Sequence, residues 1–140
     1  LFFAQCYLAF GQHLQAPIVG LISSKLQDWL FDPFANPYNP SYMPSFYSRY
    51  SPKMTFWERL DNTLLTNQVR VRAPYEMNKQ LAMVEKHFGR KLFSINDLYK
   101  DVSMLLVNQH FSINGIKPAT PDIVDIGGLH VNDNNDELTP

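Results

Sequence analysis

Val102-Ser103-Met104-Leu105-Leu106-Val107-Asn108 is the strongest strand signal in the chain. It is a short, nearly continuous apolar run that ends on polar residues, and such a run has the length and composition of a β-strand. Two further stretches read the same way. Ile18-Val19-Gly20-Leu21-Ile22 lies between Pro17 and Ser23-Ser24, and suits a strand fully buried in a parallel sheet. Ile123-Val124-Asp125-Ile126-Gly127 follows a loop carrying Pro118 and Pro121.

Helical patterns fill the intervals. Phe3, Tyr7, Phe10 and Leu14 recur at helical spacing, which predicts an amphipathic helix over 3–15, stopped by Ala16-Pro17. Thr55-Phe56-Trp57-Glu58 fits a capping box, and Phe56, Trp57, Leu60, Leu64, Leu65 and Val69 form an apolar face read as core, so a helix is predicted over 55–71. Pro74 is expected to open the next helix, with Met77, Leu81, Val84 and Phe88 along one side and Gly89 as its cap. Ser94-Ile95-Asn96-Asp97 starts a third, short one. Between 32 and 52, Pro33, Pro37, Pro40, Pro44 and Pro52 exclude helix and central strand, while the interleaved tyrosines and phenylalanines argue for a packed loop. From Asn132 onward the Asn/Asp-rich chain reads as a linker. Strands separated by helices give an α/β arrangement with a parallel sheet and flanking helices.

Composition narrows the function. The 140 residues are 45% hydrophobic and 14% aromatic, enough for one folded domain with a modest core. A formal net charge of −1, with only short basic clusters at Arg70 and Arg72 and at Arg90 and Lys91, gives no reason to expect nucleic acid as a partner. Cys6 is the single cysteine, so no disulfide forms within the chain, and no Cys/His spacing suits zinc. No apolar run approaches the roughly 20 residues that span a bilayer. The opening Leu1-Phe2-Phe3 lacks an initiator Met and a basic leader, so the sequence is expected to begin inside a longer gene product.

Local motifs assemble no site for chemistry: there is no Gly-rich phosphate loop, nucleophile elbow or HExxH helix. His13 reads as a surface or core-edge residue and His87 as a helix C-terminal one. His110 and His130 each follow a predicted strand, where ligands bind in α/β folds, and are the histidines best placed for function. Asp28, Asp32, Glu58 and Asp61 have no spacing that demands paired acid/base work. Asn39-Pro40-Ser41 is disqualified as a glycosylation acceptor by its proline, and Pro37-Tyr38-Asn39-Pro40 is a minimal PxxP match read as loop chemistry.

Taken together, several segments resemble the UDP-glycosyltransferase family, its insect branch in particular. Cys6-Tyr7-Leu8-Ala9-Phe10 with Ala16-Pro17-Ile18-Val19-Gly20-Leu21-Ile22-Ser23-Ser24 is similar to the family's helix-then-strand segment. Asn39-Pro40-Ser41-Tyr42-Met43-Pro44 and Tyr50-Ser51-Pro52-Lys53-Met54-Thr55-Phe56-Trp57-Glu58-Arg59-Leu60 are similar to its following loop and helix. Leu105-Leu106-Val107-Asn108, His110-Phe111-Ser112 and Val124-Asp125-Ile126-Gly127-Gly128-Leu129-His130 resemble the last strands of its amino-terminal half. The likeness covers residues 1–131, with 132–140 as the start of an inter-domain linker. There Asn132-Asp133-Asn134-Asn135-Asp136-Glu137 departs from the proline- and lysine-bearing linker of the family.

The resemblance implies a partial Rossmann-like domain from the amino-terminal, acceptor-binding half of a two-lobed GT-B enzyme. The parent would transfer a hexosyl group from a UDP-sugar to small lipophilic acceptors with inversion, without metal or cofactor. The UDP-sugar would be a co-substrate bound by the other lobe. The family's catalytic histidine and its acidic partner map upstream of Leu1, so no catalytic residue is assigned here, no pocket-lining residue is singled out, and this piece is expected to be inactive alone. The resemblance also implies a membrane-anchored parent in the endoplasmic reticulum with a lumenal catalytic region, and allows a homo-oligomer. The alternative is a non-catalytic α/β module that binds small molecules.

Overall fold

A computed structural model describes residues 4–89 and 91–129. His130 and the linker read at 132–140 lie outside the described residues, as does Phe3.

Three strands, β1 (Ile18–Ile22), β2 (Val102–Val107) and β3 (Ile123–Asp125), form one sheet in the order β1-β2-β3. Both pairings are parallel, with Gly20 opposite Leu105, Leu21 opposite Leu106 and Leu106 opposite Val124. A parallel pair needs a long crossover, and the segment from 23 to 101 supplies the one between β1 and β2. The fold is therefore α/β with a parallel sheet flanked by helices, as the three apolar runs imply.

Register decides which side chains meet the core. Ile22, Leu105, Val107 and Ile123 are buried, joined by Leu8, Ala9, Leu26, Trp29, Leu30 and Val84. The alternate residues form the other face, where Val19 is 58% and Leu21 60% exposed, with Met104 and Val124 beside them. Expected to be buried throughout, β1 is buried on one side only, because the described helices cover a single face.

The first helix is shorter than its pattern. A 3-10 turn over Gln5–Tyr7 leads into α1 (Leu8–Leu14), which ends with Gln15 in the left-handed conformation. Leu8 and Ala9 enter the core, whereas Tyr7, Phe10 and Leu14, read as the apolar face, point outward.

Helix α2 (Phe56–Met77) starts at the expected capping box: the Thr55 amide donates to Glu58 Oε2 at 2.7 Å and the Glu58 amide to Thr55 Oγ1 at 3.5 Å. Two expectations fail here. The helix continues through Pro74 rather than restarting there, since burial of Ala73 and Met77 on either side outweighs the one backbone bond proline forfeits. The face of Phe56, Trp57, Leu60 and Leu64 is exposed, and Asn62, Thr66, Ala73 and Met77 turn inward. Beyond α2, a 3-10 turn (Asn78–Gln80) leads into α3 (Leu81–Phe88), which buries Val84 and ends on Gly89 at φ 64°. The third predicted helix is a 3-10 stretch, Ile95–Asp101, capped by Ser94 and Asp97.

The proline-rich loop is packed, as its aromatics suggest. Met43 is fully buried, the Tyr38 hydroxyl donates to Met43 O at 2.9 Å, and the rings of Phe31 and Tyr38 meet edge to face at 4.6 Å. Burial pushes the Tyr38 hydroxyl up to about 12. Asn62 ties the loop to α2: its Oδ1 accepts from the Ser45 amide at 2.8 Å, and its Nδ2 donates to Pro40 O at 2.8 Å and Met43 O at 3.0 Å.

Candidate functional site at the strand carboxyl ends

In a parallel α/β sheet, loops leaving the carboxyl ends of the strands build ligand sites. Here those loops are joined by Gln109, which follows β2. Its Oε1 accepts from the Leu26 amide beyond β1 at 3.2 Å, and its Nε2 donates to Asp125 Oδ1 at the end of β3 at 2.7 Å. The Gly127 amide returns to Gln109 O at 3.1 Å, and a Cβ on Gly127 would stand only 2.5 Å from that oxygen, so the approach requires glycine.

Against this junction lies a cavity of about 90 Å³, lined among others by Phe31, Asn36, Gln109, His110, Lys117 and Asp125. Asn36 holds its far wall, accepting from the Thr120 amide at 2.9 Å and donating to Pro118 O at 3.3 Å. Lys117 is half-buried and makes no hydrogen bond or ion pair among the described residues; burial, then the nearby Lys25 charge, lowers its pKa, while Asp28 and Asp125 oppose that shift.

Asp28 is almost wholly buried, and burial raises its carboxyl above the usual range. Hydrogen bonds from Ser45 Oγ at 2.6 Å and from the Phe46 amide, together with the Lys25 and Lys117 charges, act the other way. Lys25 donates to Ser45 O at 3.1 Å; burial depresses its pKa and Asp28 counters that. The cluster holds two ammonium and two carboxylate groups, balanced in charge and partly withdrawn from water, an environment suited to binding polar groups in defined orientations.

An apolar groove of about 330 Å³ lies close by, lined by Trp29, Tyr47, Leu65, Val69, Arg72 and Ala73 among others. Trp29 directly follows Asp28, and Tyr47 follows Phe46, whose amide Asp28 holds, so two of the groove's lining residues adjoin the polar cluster along the chain.

His110 lines the cavity, but its Nδ1 lies 2.7 Å from Ser112 Oγ and accepts from the Ser112 amide at 3.3 Å, capping α4 (Phe111–Asn114). His13 sits exposed against the Phe88 ring at 5.7 Å, and His87 lies exposed in the last turn of α3, both structural placements. The other acidic residues weighed have structural partners: Asp32 pairs with Arg70, Glu58 caps α2, and Asp61 accepts from the Tyr50 hydroxyl at 2.6 Å. Lys25, Gln109 and Lys117 carry no signal in the sequence alone, because Lys25 is remote from the other two along the chain and nears them only once it is folded. Among the described residues no group of three or more His, Cys, Asp or Glu could hold a metal ion, and no helix is long and apolar enough to cross a membrane.

An α/β chain with a parallel sheet flanked by helices and polar groups gathered at its strand ends has the architecture of a partial Rossmann-like domain. Sequence comparison gives the family: residues 3–139 match the model of UDP-glucoronosyl and UDP-glucosyl transferase, and the chain belongs to that family. It is 34% identical to UDP-glucosyltransferase 2 of Dactylopius coccus, over 94% of this chain and 26% of that protein. It is 29% identical to UDP-glycosyltransferase UGT5 of the same insect, over 93% of this chain and 25% of that protein. It is also 27% identical to UDP-glucuronosyltransferase 1A9 of Mus musculus, over 91% of this chain and 24% of that protein. The chain thus spans about a quarter of the length of the curated relatives it matches. No solved structure matches it.

Proposed function

We propose that this chain is the later part of the acceptor-binding lobe of a GT-B glycosyltransferase that moves a hexosyl group from a UDP-sugar to a small lipophilic acceptor. The observation that carries this reading is the apolar groove of about 330 Å³ between α2 and Trp29 and Tyr47, the residues next in sequence to Asp28 and Phe46, in a member of a UDP-sugar transferase family. An apolar wall with a few oriented polar groups suits a small lipophilic molecule carrying one reactive hydroxyl.

The chemistry is a direct displacement. A histidine upstream of Leu1, oriented by an acidic residue, takes the acceptor's hydroxyl proton. The acceptor oxygen attacks the anomeric carbon as the bond to UDP breaks, UDP leaves with the bonding electrons, and the configuration inverts. The other lobe binds the UDP-sugar, so the segment by itself transfers nothing. The parent is anchored in the endoplasmic reticulum membrane with its catalytic region in the lumen.

The test is a segment exchange. This chain replaces the matched segment of Dactylopius coccus UDP-glucosyltransferase 2, and transfer from UDP-glucose to a panel of lipophilic phenols is followed, with the anomeric configuration of the product read by NMR. Transfer with inversion and a changed acceptor preference is the expected result. A folded chimera that has lost all transfer, or retains the host's acceptor preference unchanged, overturns the proposal.

A further inference from the structure

The apolar groove against α2 has two kinds of wall. On one side are the rings of Trp29 and Tyr47, with centroids 6.4 Å apart and planes 33° from parallel. On the other, α2 contributes two rows whose members follow one another at intervals of four residues, so each row runs along the helix. Leu65, Val69 and Ala73 make the inner row and are half-buried or buried. Gln68, Arg72 and Glu76 make the outer row and are exposed at the rim. Aromatic rings on one wall and aliphatic side chains on the other give a slot suited to a flat apolar molecule.

The charges at the rim do not cancel. Lys79 hydrogen-bonds the Glu76 carboxylate and holds it below the usual carboxylate range, so Glu76 stays ionised and already has its cation. Arg72, one turn before Glu76, makes no hydrogen bond or ion pair among the described residues. Its neighbour Arg70, by contrast, is paired with Asp32. The aromatic wall adds no negative charge, because burial, and then the Asp28 carboxylate, raise the Tyr47 hydroxyl above its ordinary value. Asp28 itself is buried and countered by Lys25 and Lys117. The rim of the slot therefore carries a net positive charge, centred on a guanidinium whose donors are unused within the chain.

This combination selects a ligand chemistry. A flat apolar body displaces water from the rings, and a carboxylate at its edge accepts two parallel hydrogen bonds from the guanidinium fork. A cationic ligand would meet Arg72 and Lys79 together, and a neutral one would gain nothing from either.

We propose that Arg72 selects among acceptors, and that the preferred occupant of the groove is an aromatic hydroxy acid whose carboxylate, distinct from the hydroxyl that receives the sugar, lies on the Arg72 guanidinium. The inference rests on the groove being the acceptor site.

Calorimetric titration of the chain tests it with two probes of one shape, para-hydroxycinnamate and para-hydroxycinnamamide. No sugar donor is present, so binding is read apart from transfer. The acid should bind about three- to tenfold tighter than the amide at low salt, and the gap should shrink as salt rises. Arg72→Gln should close the gap by weakening the acid alone, Arg72→Lys should restore part of it, and Tyr47→Ala should weaken both probes alike. Arg72 and Tyr47 are exposed, so circular dichroism should show native folding for each variant. Equal affinity for acid and amide overturns the inference and leaves the groove as an acceptor site. An acid preference that survives Arg72→Gln does the same. A Tyr47→Ala variant that binds both probes as well as the parent chain puts the ligand outside the groove and overturns the inference. A chain that binds neither probe overturns it together with the groove's assignment.

Discussion

The proline-rich loop and helix α2 lie against each other and invert the usual relation between regularity and burial. The loop has no repeating hydrogen bonds, yet it buries Phe34, Met43 and Ser45. The helix, the longest element described, leaves most of its large apolar side chains outside. The two are linked by cause. The loop satisfies only part of its backbone through its own turns; Asn62 faces inward on the Ser45 amide and the Pro40 and Met43 carbonyls, and Thr66 on the Tyr38 hydroxyl. Serving the loop commits the polar side of α2 to the interior and forces the apolar side out.

Substitutions should separate the two regions cleanly. Met43→Ala, at a fully buried loop site, should cost about 2–5 kcal/mol in urea denaturation; a loss close to zero would mean that the loop only drapes over the core. Asn62→Ala should cost about 1–3 kcal/mol, since it takes their side-chain partner from the Ser45 amide and the Pro40 carbonyl and leaves the Met43 carbonyl with the Tyr38 hydroxyl alone. Its amide-exchange signature should be local, with protection lost at Ser45 first.

Asp28 sharpens the comparison through pH. Its carboxyl is raised in the folded state, so the protonated form folds more favourably than the charged one. Its stabilising contribution is complete below the unfolded carboxylate pKa and disappears as pH rises through the higher folded value. Asp28→Asn should remove that decline, and the difference between wild-type and variant stability should change across the acid range and level off above it. A difference independent of pH would show that Asp28 folds and unfolds with the same affinity for its proton. The smallest effect is expected at Trp57→Ala, within about 0.5 kcal/mol in urea denaturation. A large loss there would place the ring inside the fold after all.

The sequence makes some of this legible and hides the rest for a physical reason. The three strands announce themselves because apolar runs bounded by proline, serine or glycine have few other uses. The caps at Thr55 and Ser94 and the left-handed Gly89 are equally plain, since each is settled within a few residues. Periodicity along α2 shows that two faces exist, but choosing the inner one requires knowing that Asn62 will meet the backbone of Ser45. The same limit applies to Tyr7, Phe10 and Leu14 in the first helix. Pro74 is a local stop signal overruled by the burial of Ala73 and Met77. At the candidate site, His110 is visible because it follows a strand, while Asp28, Lys117 and Gln109 become neighbours only after the chain has crossed the sheet.

Gln109 gives the strand ends a shared fate. One amide side chain grips the exits of both neighbouring strands while its own backbone carries the third. A guest that pushes on any one of those exits therefore loads all three. The cavity mouth should tighten or slacken as a single hinge-like assembly, and a tremor at Leu26 would be felt at Asp125 without passing through the sheet.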